Sequence, residues 1–133
     1  MKYRISNPLL TAIVCCTPML VQADPDLSTL PTPAEMSRLP VVCSVKMGHD
    51  QAAQKMWEER LGTQIYLHVH HHCYALNFMN RANLTIEKRS KKYYLKEAID
   101  NFNYVLRNWP EASPLHAEAQ RLKEQCEMMQ RLP

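Results

Sequence analysis

The sequence predicts an all-α protein: two stacked antiparallel helical hairpins, about four main helices, behind a cleaved signal peptide. Three observations carry this. Residues 93–109 place Leu95, Ala98, Ile99, Phe102, Val105, Leu106 and Trp109 at helical spacing, with polar residues on the other side. The chain has two glycines, and neither falls inside a predicted helix. The one β-rich run, Val41–Met47, is too isolated to build a sheet.

The chain is read as a signal peptide (1–23), a leader (24–49) and a helical domain (50–131). Lys2 and Arg4 precede an apolar run over 9–21, and Val21-Gln22-Ala23 offers small residues at a cleavage site. Thirteen residues interrupted by Pro18 fall short of the roughly 20 a spanning helix needs, so no stable transmembrane segment is expected after cleavage. Neither Cys15 nor Cys16 follows a small residue, which argues against a lipoprotein. The expected location is periplasmic or secreted. Losing Lys2 and Arg4 lowers Lys plus Arg from 16 to 14 against 13 Asp plus Glu, a net charge of +1, so the apparent basicity gives no support to a nucleic-acid partner.

In the leader, the Thr32 to Glu35 run has capping-box spacing with proline at the first helical position. It predicts a short turn of helix ending before Pro40, after which Val41–Met47 is expected as an extended lead-in. Asp50 caps a helix over Gln51–Leu61, with Ala53, Met56, Trp57 and Leu61 on its buried face, and Gly62 ends it. A second helix runs over 64–84. Its stripe is Ile65, Val69, Cys73, Leu76, Met79 and Asn80, widened by Tyr66, Tyr74 and Phe78. The run TIEKRSKK at 85–92 is expected as a polar connector. The 93–109 helix stops before Pro110. Ser113-Pro114 then opens a last helix striped by Leu115, Ala119, Leu122, Cys126 and Met129.

Few residues suggest chemistry. In HVHHHC at 68–73, His68 and His72 stand four apart on one helical face, the spacing zinc or copper ligands use. Further ligands would have to come from His49, His116, Met47 or the Met128–Met129 pair. This gives the alternative reading, a periplasmic copper- or zinc-binding protein; packing of the imidazoles at helix junctions is the plainer one. Cys73 lies inside an apolar stripe, unlike a reactive thiolate. Glu58 and Glu59, and Glu124 and Glu127, read as solvated faces. Lys88, Arg89, Lys91 and Lys92 form a basic turn that suits an acidic partner, lipid headgroups or plain water. There is no phosphate-binding glycine loop, nucleophile elbow or CxxC, so no catalytic residue and no cofactor is expected, and the chain is not read as an enzyme.

Three cysteines remain after the signal peptide, in a disulfide-permissive compartment. Cys73 should face the start of the 51–61 helix, and Cys43 lies in the segment leading into that start. The expected bond is Cys43–Cys73, with Cys43–Cys126 as its rival and Cys126 otherwise a buried free thiol.

Ala98, Phe102, Val105 and Pro110 occupy the offsets of the second helix of a tetratricopeptide repeat, so the chain resembles the tetratricopeptide-repeat (TPR) family. Trp57, Leu61-Gly62, His71 to Cys73 and Arg81-Ala82 are similar to a pattern in uncharacterised exported TPR-like proteins of proteobacteria. The resemblance implies stacked hairpins that bind a protein partner in the cell envelope, with homodimerisation as a further expectation. Arg81 is expected to pair across the hairpin with Asp100 or Glu97.

Overall fold

The computed structural model describes residues 26–132; the expected signal peptide and its cleavage site lie outside them. The elements are α1 (Pro33–Met36), α2 (Val41–Met47), α3 (Gln51–Leu61), α4 (Thr63–Leu84), α5 (Lys88–Asn108) and α6 (Pro114–Arg131). Among the described residues there is no strand. The all-α expectation holds, with the six helices of the described residues packed against one another.

Local chemistry sets most boundaries. The Thr32 hydroxyl accepts from the Glu35 amide while the Glu35 carboxylate accepts from the Thr32 amide. Asp50 accepts from the Ala53 amide at 3.0 Å, Glu87 from Arg89 at 2.8 Å and Ser113 from Leu115 at 3.2 Å. Each satisfies an amide that a helix start would otherwise leave unpaired. Gly62 separates α3 from α4 at φ 83°, a conformation that costs glycine little and other residues more.

The antiparallel pair α4 and α5 is the centre of the fold. At one end the Phe78 ring meets Tyr93 and Tyr94; at the other the Gln64 amide donates to the Asn108 carbonyl at 3.0 Å. Between them Val69, Phe78, Leu95, Phe102 and Val105 are fully buried. Each such side chain contributes roughly 1.5–3 kcal/mol by leaving water. α6 covers the next side of α5 with Ala119, Leu122 and Cys126.

Tyr66, Cys73 and Arg81 stand seven and eight apart, which puts them on one face of α4. The N-terminal segment lies along that face. Lys46 sits over the Tyr66 ring at 4.2 Å, Cys43 is bonded to Cys73 with Cα atoms 5.6 Å apart, and Arg81 holds α1.

Several expectations are corrected. Val41–Met47 is a helix, not an extended lead-in. Pro40 supplies an extended residue that ends the previous turn, and burial of Val42 and Cys43 against α4 outweighs the β preference of the three valines. The connector before α5 is 85–87, because the Glu87 cap starts the helix at Lys88 and Ser90 is buried in its first turn. α3 has no fully buried residue, and Met56 is 54% exposed; α3 touches the core only through the half-buried Trp57 and Leu61. On α4 the buried amide is Asn77, not Asn80, which is half-buried.

Candidate functional site

Arg81 does not pair with Asp100 or Glu97. Its Nε and Nη2 donate to the Glu35 carboxylate at 2.6 and 2.9 Å, and Nη1 donates to the Ser28 carbonyl at 2.6 Å. The fork geometry suits a bidentate carboxylate, and the guanidinium stands 5.4 Å from the Phe78 ring centre and 5.9 Å from that of Tyr94. Asp100 is taken by Lys96, its neighbour one helical turn away, at 2.6 Å. Arg81 therefore anchors the N-terminal segment.

The histidines divide by environment. His72 is buried between Phe102 and Trp109, with ring centres 5.8 and 5.2 Å away. Burial lowers its pKa to about 4, which keeps the imidazole neutral. His68 meets the Tyr104 hydroxyl through Nδ1 at 3.2 Å. His71 stacks on Tyr104 at 3.7 Å and pairs with Asn101 at 2.8 Å. His116 meets the Leu106 carbonyl at 3.2 Å, and His49 is exposed. Among the described residues no group of three or more His, Cys, Asp or Glu side chains converges as a metal site. Of the two histidines on which the zinc or copper reading rested, His68 is half-buried beside Tyr104 and His72 is buried beside Phe102.

The other expected residues fall as follows. Cys43 and Cys73 are joined, and Cys126 is a buried free thiol. Its pKa is raised to about 11, first by burial and then by Glu127, which makes it a poor nucleophile. Ala98, Phe102 and Val105 are fully buried along α5, and Pro110 is exposed beyond its end.

The candidate site lies at the opposite end of α5. Because α6 runs antiparallel to α5, its last turn returns beside α5's first. Between them, under the end of α4, is an open groove of about 590 Å³. Leu95 forms its floor; Ile86, Met129 and Leu132 line it with apolar surface; Lys88, Lys91 and Lys92 line it with charge. Ile86 is fully exposed and Leu132 is 71% exposed. Lys88, Arg89, Lys91 and Lys92 form no ion pair among the described residues. Glu87, the sole acid over 85–95, is occupied in capping. Hydrogen bonds from Ser90, side chain and amide, hold its carboxyl below the usual range.

Sequence reasoning identified the basic turn but missed the groove. Ile86 is a lone apolar residue between polar neighbours, and Met129 and Leu132 lie more than thirty residues further on. Only the antiparallel return of α6 brings them together. The arrangement suits contact with an apolar, negatively charged surface, and it positions no nucleophile or acid–base pair. Among the described residues no helix is long and apolar enough to cross a membrane. Compared with protein-family models, curated proteins and solved structures, the chain matches none.

Proposed function

We propose that the chain is a small exported TPR-like helical module that docks another protein in the cell envelope, through the groove at the α4–α5 turn. The observation that supports this is the exposure of Ile86 and Leu132 beside a deep apolar floor. Apolar side chains gathered beside a charged rim suit a docking segment, and stacked helical hairpins present grooves of this kind to partner segments. The buried aromatic, aliphatic and disulfide contacts hold the scaffold, which leaves the groove rim free for recognition.

The test is affinity purification of the mature chain against the envelope fraction of its own cells. The wild type and a Met56→Asp control on α3 are expected to retain the same partner. Ile86→Asp and Leu132→Asp should lose it while keeping the wild-type helical circular dichroism. Equal retention by all four proteins would place the interaction elsewhere.

A further inference from the structure

We infer that the groove takes an acidic amphipathic helix of the partner, laid against the first turns of α5 between the ends of α4 and α6; the inference rests on the docking reading above. Charge is the first argument. Lys88, Lys91 and Lys92 border the groove and have no ionic partner among the described residues. Of the nearby acids, Glu87 is bound to the Arg89 and Ser90 amides and Glu127 is paired with Lys123 at 3.6 Å. Carboxylates brought in by a partner would meet these lysines without displacing an existing pair, which favours both encounter and register.

Shape gives the second argument. The apolar residues line a concavity with Leu95 at its floor, 1% exposed. A flat bilayer surface would touch only the exposed rim at Ile86 and Leu132, whereas side chains projecting from a helix also reach the floor. Secondary structure gives the third. Helices wall the groove and no strand edge is present among the described residues, so an extended peptide would find no row of free backbone groups to pair with. The lining also holds no aromatic ring on which a proline-rich segment could dock, so seating a helix is the mode the groove fits best. The incoming helix would carry apolar residues at i, i+3, i+4 and i+7 toward Leu95, Ile86, Met129 and Leu132, flanked by Glu or Asp toward the lysines.

The test titrates the mature protein with three probes, read by backbone amide NMR shifts. These are a synthetic peptide with leucines at i, i+3, i+4 and i+7 flanked by glutamates, the same peptide with lysines for glutamates, and phosphatidylethanolamine vesicles containing phosphatidylglycerol. The glutamate peptide should bind with shifts confined to residues 83–95 and 128–132. Lys88→Glu, Lys91→Glu and Lys92→Glu together, with unchanged helical circular dichroism, should weaken it by roughly tenfold or more, and added salt should weaken it too. The lysine peptide and the vesicles should leave those shifts unmoved. Equal binding of the lysine peptide, a response to vesicles alone, or no binding of the glutamate peptide would each overturn the inference. If the glutamate peptide fails while envelope retention still depends on Ile86 and Leu132, the assigned partner chemistry is wrong and the docking reading stands. If retention ignores both residues, the docking reading falls.

Discussion

Arg81 lies beneath the N-terminal segment at 6% exposure, so its charge is tolerable only because Glu35, Asp26 and the Ser28 carbonyl surround it. The Arg81 hydrogen bond is the main cause that lowers the Glu35 pKa to about 2. A carboxyl depressed in the folded state stabilises above its unfolded value of 4.5, and that contribution is lost as pH falls toward 2. His72 follows the same sign for a different reason. Burial holds it to about 4, while the unfolded chain takes up that proton near 6.5, so stability declines as pH falls from 6.5 to 4. The melting temperature should therefore fall in two acid windows. His72→Leu should flatten the upper one, and Glu35→Gln the lower one, at a cost of about 2 kcal/mol at neutral pH. Identical pH profiles for the wild type and both variants would contradict these assignments. The sequence did not show Arg81's partner, because Glu35 lies 46 residues away and the nearer Asp100 and Glu97 appeared equally suitable.

At the level of the elements, α5 was legible because its stripe is long, amphipathic and stopped by Pro110, and all of its predicted core residues are at least half-buried. Phe102 has no exposed surface and packs beside His72 on α4. Phe102→Ala should cost roughly 3–5 kcal/mol, and an unchanged melt would contradict the α4–α5 packing. α2 was not legible, since seven residues carry too little periodicity and three valines pointed toward a strand. Its helix is fixed from outside by the bond from Cys43 to Cys73. Peptide mapping without reduction should recover that link, across a separation of 30 residues, and a free Cys126. Reduction should remove about 2–4 kcal/mol of stability. A linked peptide containing Cys126 would contradict the arrangement.

For the whole molecule, the order of the four main helices followed from sequence, while the groove depended on α6 returning beside the start of α5. Helical stripes show which face of each element is buried, but an isolated Ile86 and a terminal Leu132 belong to no stripe. Their meaning appears only in the packed chain. The groove combines an apolar floor with cations that are unpaired among the described residues, and the proposed docking of a protein partner rests on both. The most direct test is site-specific photo-crosslinking in the cells that make the protein, with a photoreactive residue at position 86, at position 132, or at exposed position 56 on α3. The account predicts one protein adduct shared by positions 86 and 132, absent from position 56 and lost when Lys88, Lys91 and Lys92 become glutamate. No protein adduct from positions 86 and 132, or an equal one from position 56, would contradict it.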